Sequence, residues 1–525
     1  MNGARWLDLA VICAYMIVLV AVGLRFRRRQ TNTETYFVAK RSVPGWAMGL
    51  SLLSTLISSV TFIAYPGSAY AGNWSLLVPG FLVVGVLILV GKIIIPFYRH
   101  AVGMSAYEYF ENRFGVPARI YASLAFAAAH FSKMAFVFYL MALTINSMTG
   151  WTIDYVICGA AAVVICYTLV GGILAVVWTD VIQAFITWIG VFVCLGYLLL
   201  LPPGGPAAVF RTAAEHGKFS LGQMNWDFSS PTIPVLIIYG FFWYLQRYTS
   251  DQTVVQRYLL AKTDRSALRG VALGAALCVP VWALFMLVGA CTWAFYRLTG
   301  EALPAYVKKA DQVFPHFIAT HLPAGMAGLF MASLIGATMG MLSSDLNSFS
   351  VVGVEDYYRR IRPQAGDESR LRVAKILVAA VGAASAATAL ILAHTTGSAL
   401  SMWFAVSAIV SGGLAGLFLL AFLSRRAHSR GVYVGIAASL AFTAWAVLTR
   451  GPNRLLDLAP WNFPWDDLMI GAAGHIVLIA VGYLASLVLP RAAQAEGPAP
   501  ARTFWDWLRH RKQQTVPGGV SATIR

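Results

Sequence analysis

Long apolar runs separated by short polar or basic stretches dominate this 525-residue chain. A helix needs ~20 such residues to cross the hydrocarbon of a bilayer. Runs of that length lie near 5–25, 43–68, 74–99, 118–148, 152–171, 173–201 and 231–250. Others follow near 267–297, 314–358, 372–395, 399–424, 431–449 and 467–490. The pattern predicts an all-α integral membrane protein of about 13 transmembrane helices, with no stretch left for a soluble domain. The second and ninth runs exceed one crossing, which predicts helices that are broken or continue beyond the membrane.

Two polar interruptions organise these runs. Leu56-Ile57-Ser58-Ser59-Val60-Thr61 sits at mid-depth in the second run, followed by Pro66-Gly67. Gln246-Arg247-Tyr248-Thr249-Ser250-Asp251-Gln252 abruptly ends the seventh. Unwound backbone is tolerated in a membrane only where it lines a cavity or is buried in protein. Breaks in corresponding helices point to an inverted-repeat transporter with its site at the breaks. Five-helix repeats then occupy 43–230, which includes an outer loop, and 231–424. Residues 1–42 supply a preceding helix and basic loop, 425–490 supply two further helices, and 491–525 form a tail.

Composition agrees: 58% of residues are hydrophobic and 12% charged. A net charge of +17 would suggest nucleic acid in a soluble protein. Here, with the N-terminus outside, 28 of the 39 Lys and Arg residues fall in cytoplasmic segments. That is the positive-inside pattern; it places the C-terminus in the cytoplasm and makes a nucleic-acid partner unnecessary. The first run lacks a preceding basic region and a cleavage site, so it reads as a retained helix rather than a signal peptide. The six cysteines lie within the runs without metal-type spacing, as apolar packing residues do. Segments 202–230, 298–313 and 450–466 read as outer loops or lids. In the tail, Thr503-Phe504-Trp505-Asp506-Trp507-Leu508-Arg509 combines aromatics and basic residues as interfacial helices do.

The chemistry concentrates in a few polar residues. Asp180 lies inside the apolar stretch Gly171–Gln183, where an ionised carboxylate costs about 2.5–3.5 kcal/mol on insertion scales. Such a residue faces a bundle interior or a cavity and meets a cation, a proton or a basic group, which points to ion-coupled transport. Asp345 is a second intramembrane carboxylate, open to a cation, a basic partner or a proton, or to a place near the cytoplasmic vestibule. Lys133 is a cation within an apolar helix.

With these motifs the chain resembles the sodium/solute symporter family, which includes sodium/glucose, sialic acid, iodide and monocarboxylate cotransporters. The likeness runs from Tyr36-Phe37-Val38-Ala39-Lys40-Arg41 to about residue 424. Its anchors are Gly172 to Gln183, Asp251-Gln252-Thr253-Val254-Val255-Gln256-Arg257, and Ser343-Ser344-Asp345-Leu346-Asn347-Ser348. The resemblance implies a leucine-transporter-type fold, alternating access and sodium-driven uptake.

It also implies site residues. Members with a second sodium site build it from an Asp and two hydroxyls that match Asp180, Ser343 and Ser344. The bland alternative is a packing Asp and serines bonded back to their own helix. The more widely shared site maps to Ser54 and Ile57 on one helix and to Ala337, Gly340 and Met341 on another. Gly340 and Met341 bring no hydroxyl, and thioether sulfur is a poor ligand for a hard cation. This departure leaves open compensation by backbone carbonyls, Ser54 or Thr338, coupling through Asp180 alone, and coupling through protons.

For the solute, Ser58 and Thr61 at the first break are pocket candidates, with small-residue packing as the alternative. Asp251 is a further contact or gate. The sialic acid branch resembles the Lys133 region with an Arg that meets the substrate carboxylate, whereas sugar cotransporters have a similar Phe-Thr-Lys element. Where sugar cotransporters use a Gln, this chain has Phe404, flanked by Met402 and Trp403, which argues against an ordinary hexose site. The reading is a secondary active symporter that imports a small organic solute with sodium, a carboxylate such as a sialic acid or monocarboxylate being preferred over sugar. Proton-coupled or uncoupled carriers, and a transporter-like membrane sensor, stay open as alternatives. A membrane enzyme lacks support, because no nucleophile–base pair or metal motif stands out.

Overall fold

The computed structural model describes residues 6–305, 307–394, 409–410, 412–451, 454–491 and 503–514. Helix α1 spans Trp6–Phe26, and the short α2, Thr33–Val38, is capped by the Asn32 side chain, which accepts from Thr35 N–H. The second apolar run becomes α3, Gly45–Leu56, and α4, Ser59–Ala71, bent by 60° to each other. Then come α5, Leu77–Ala101, α6, Glu108–Phe114, α7, Val116–Thr149, and α8, Ile153–Leu200. Past α9, Gly205–Glu215, the chain forms α10, Ile233–Ser250, α11, Gln252–Leu260, and α12, Asp264–Thr299. Next are α13, Val313–His321, and α14, Met326–Val352, which runs through a π-helical stretch, Gly353–Tyr358, into α15, Arg359–Ile361. The series closes with α16, Asp367–His394, α17, Leu414–Leu423, α18, Ser429–Thr449, α19, Leu468–Val488, and α20, Phe504–Gln514.

Among the described residues, eight helices are long and apolar enough to span a membrane, or ten if each of two bent pairs counts as one span. Length alone shows that α8 is more than one crossing: 48 residues would extend about 72 Å. It breaks at Gly172, whose φ of 56° and ψ of −156° lie outside the helical region. A Cβ there would sit 2.7 Å from the Tyr36 ring, so both backbone and packing call for glycine. The ninth run breaks as its length suggested, between α13 and α14, where Pro323 and Gly325 (φ 88°) interrupt the helix. An unforeseen bend of 63° divides α5 between Ile88 and Gly91. Gly91 weakens the helix there, and Pro96 removes a hydrogen bond one turn later.

The core is built on α14, most of whose length is buried, packed against α1, α3 and α8. Helices α3 and α12 approach closely: a Cβ at Gly49 would lie 2.5 Å from Gly270 O, and one at Gly270 2.3 Å from Gly45 O. Small residues permit such backbone contact in membranes, where no hydrophobic force separates helix from lipid. The outward faces carry exposed Ile17, Ile88, Phe185 and Ile376. The 202–230 segment folds onto the end of α4, with Lys218 Nζ donating to Tyr70 O at 2.6 Å. Helix α20 docks on α17 through Trp505 Nε1, which donates to Leu423 O at 2.8 Å.

Candidate functional site

Both polar interruptions are real helix breaks. At the first, Ile57 and Ser58 are extended between α3 and α4. Ser58 Oγ accepts from Val60 N–H at 3.3 Å and Thr61 Oγ1 accepts from Ser58 N–H at 3.4 Å, a reciprocal cap that answers two otherwise unpaired donors. Ser59 Oγ donates to Val137 O of α7. At the second, Asp251 is extended between α10 and α11, and its Oδ1 accepts from Thr253 N–H at 2.8 Å. The two breaks thus use different caps, hydroxyls at one and a carboxylate at the other.

A dry cluster surrounds Asp180, which is fully buried where α3, α8, α11 and α14 meet. Ser51 Oγ of α3 donates to Asp180 Oδ2 at 2.5 Å, and Arg257 Nη2 of α11 lies 3.6 Å from the same oxygen. Arg257 also donates to Ser344 Oγ at 2.5 Å, and Thr55 Oγ1 is 3.3 Å from that hydroxyl. Ser343 Oγ donates to Gly340 O one turn back. Asp180 Oδ1 has no hydrogen-bond partner among the described residues. One carboxylate shared by one distant guanidinium and several hydroxyls is a set of hard oxygen ligands suited to an alkali cation.

A second cluster crosses the bundle where α7, Asp251 and α14 converge. Lys133 Nζ lies 2.9 Å from Asp345 Oδ2, and its side chain stays 27% exposed. His130 Nδ1 is 2.8 Å from Asp345 Oδ1 and its Nε2 is 3.2 Å from Asp251 Oδ2, to which Arg247 is also paired. As the imidazolium, His130 donates to both carboxylates. As the neutral ring it keeps Nε2–H on Asp251 and accepts from Lys133 Nζ, 3.1 Å from Nδ1. Lys133 and Arg247 balance the two aspartates.

A sequence model described as the sodium:solute symporter family matches residues 36–438. The chain belongs to that family. This symporter is 31% identical to the sodium/sialic acid symporter NanT of Aliivibrio fischeri, over 91% of this chain and 92% of that protein. It is 33% identical to the sodium/sialic acid symporter SiaT of Proteus mirabilis, over 83% and 88% respectively. A solved substrate-bound, outward-open structure of a Na+-coupled sialic acid symporter superimposes with a TM-score of 0.85 at 30% identity, covering 93% of this chain and 99% of that one. The closed structure of Mhp1, a nucleobase-cation-symport-1 transporter, shares the fold at a TM-score of 0.56 and 16% identity. Membership makes the protein a membrane transporter that moves a small organic solute together with sodium, and not an enzyme.

Within the symporter, Asp180, Ser344 and Ser54 gather around one stretch of α14. Ser343 bonds back to Gly340 O, and Ile57 and Ala337 are buried on the break and on α14. Lys133, Asp251 and Asp345 join through His130, whereas Ser58 and Thr61 bond to their own helix end. Phe404, Met402 and Trp403 lie outside the described residues. Sequence reasoning passed over Ser51, His130, Arg247 and the Arg257–Asp180 pairing. Two had a local signal: His130 is one turn before Lys133 on one helix face, and Arg247 stands four residues before Asp251, close enough to pair across the helix end.

Proposed function

We propose that the symporter imports a carboxylate-bearing solute of the sialic acid kind with sodium. One observation carries the choice of solute: a part-exposed Lys133, paired with Asp345 and joined through His130 to Asp251 at the second helix break. The sialic acid symporters among its relatives support the same class. In this reading Asp180, Ser343 and Ser344 hold sodium, with Ser54, Ile57 and Ala337 on its edge. Ser58, Thr61, Lys133, Asp251 and Phe404 face or gate the solute.

The architecture that fits is 13 spans, with inverted repeats of five at 43–230 and 231–424. One helix precedes them within 1–42, and two follow within 425–490. The basic loops face the cytoplasm, as does the 491–525 tail, and the N-terminus is outside. Sodium favours the solute-ready conformation, so each ligand strengthens the other's binding.

The test is thermal stability of purified protein in sodium, potassium or choline against sialic acids, monocarboxylates and hexoses. A ligand that binds the folded state raises the melting temperature. A sodium-specific shift deepened by an acidic sugar is the expected result. A shift that favours hexoses overturns the solute assignment, and one indifferent to sodium overturns the coupling assignment.

A further inference from the structure

The face of α14 that meets Asp180 carries glycine at position 340. An ideal Cβ built there would lie 2.3 Å from Gln183 Oε1, 2.6 Å from Ser54 Oγ and 3.0 Å from Asp180 Oδ1. Three oxygens from α3 and α8 therefore converge on Gly340, where the side chain of any other residue would collide with them. The side chains are dry, with Asp180 0%, Gln183 1% and Ser54 4% exposed. Asp180 Oδ1 has no hydrogen-bond partner among the described residues, and the Gln183 amide, with none in hydrogen-bonding geometry, faces the phenols of Tyr15 and Tyr167. A buried carboxylate oxygen left without a partner costs about 1–3 kcal/mol or more, and native proteins hold few of them.

We infer that Gln183 is a sodium ligand in this chain, and that the oxygens converging on Gly340 form a cation site of Gln183, Ser54 and Asp180. The inference rests on the sodium coupling proposed above and names an oxygen that takes the place of the hydroxyls missing at 340 and 341. Charge selects a monovalent ion. The site has one carboxylate, already shared with Arg257 at 3.6 Å, whereas divalent calcium sites gather several charged oxygens. The amide adds a ligand without adding charge. Oδ2 remains with Ser51 and Arg257, so the ion enters on Oδ1 without displacing the existing bonds. Gly340 O, which accepts from Ser343 Oγ at 3.0 Å, ties the serine pair to the same turn.

The experiment is a sodium titration of melting temperature on the purified full chain, at constant ionic strength with choline, for wild type, Gln183→Leu and Ser54→Ala. Gln183→Leu keeps the volume and removes the oxygen, and its sodium midpoint should rise at least about tenfold, the scale lost when even an outer partner of a bound metal is removed. Ser54→Ala removes one hydroxyl with little risk to folding and should raise the midpoint severalfold. Gly340→Ala should abolish the sodium shift while the solute-free melting temperature in choline changes much less. Midpoints within twofold of wild type in both Gln183→Leu and Ser54→Ala overturn the inference, while a sodium shift in wild type leaves the coupling assignment standing. No sodium shift in wild type overturns both.

Discussion

The two buried polar clusters both set carboxylates against bases and leave different atoms unanswered. Around Asp180 a single carboxylate is met by hydroxyls and a guanidinium 3.6 Å away, with one oxygen unpartnered and nothing exposed. Around Asp345 and Asp251 two carboxylates are answered by Lys133, Arg247 and His130, and Lys133 keeps contact with its surroundings. Both clusters are formally neutral, one carboxylate against Arg257 in the first and two against Lys133 and Arg247 in the second. They differ in what is left over: an unpartnered carboxylate oxygen in the first and a part-exposed ammonium in the second. In the reading proposed above, the free oxygen receives the cation and the ammonium meets the acidic solute.

The largest expected effect is that of Asp180→Asn. It removes the charge on which the cation cluster turns, and it leaves Arg257 buried without an anionic partner, at about 3–5 kcal/mol. Sodium-driven uptake in proteoliposomes should fall to background; uptake near wild type would dissolve the contrast between the clusters.

Next comes Lys133→Met, which touches only the anion side. Hydrogen bonds to charged groups contribute about 1.5–3 kcal/mol, so affinity for an acidic solute should weaken by roughly 10–100-fold. The sodium midpoint measured without solute should stay where it is. A variant in which sodium affinity moves and solute affinity does not would assign Lys133 to the wrong cluster.

His130→Gln sharpens the comparison through the bridge between Asp345 and Asp251. It replaces a ring that touches both carboxylates and should weaken binding of an acidic solute while the sodium midpoint stays in place. Equal solute affinity in the two proteins would remove His130 from solute binding.

The smallest effect is predicted for Ser58→Ala. Loss of a helix cap costs about 1 kcal/mol, visible as a modest drop in melting temperature with sodium and solute affinities nearly unchanged. A loss of solute affinity beyond tenfold would instead make Ser58 a direct contact.

Much of this was legible along the chain, because bilayer thickness imposes a length on every apolar run. The runs at 5–25, 118–148 and 467–490 became α1, α7 and α19 within a few residues. Both polar interruptions became breaks, since hydroxyls and a carboxylate in hydrocarbon are tolerated where they cap helix ends. The bend in α5 was not legible, because its apolar pattern continues unbroken across Ile88–Gly91. Asp180 announced itself by being a charge in an apolar helix, whereas its partners did not. Ser51 and Arg257 lie 129 and 77 positions away, and no local pattern links them to it.

The sequence by itself therefore determined a helical membrane protein, the location of its two breaks and the intramembrane charges that mark its chemistry. Those follow from hydropathy and the cost of burying ions, both properties of single segments. Only the tertiary structure decided which charge meets which, that Lys133 is tied to Asp345 through the same corner as His130, and that the missing hydroxyl at Gly340 is faced by the amide of Gln183. Pairing across helices depends on close approach between segments far apart in the chain, and that is a property of packing, not of composition or period.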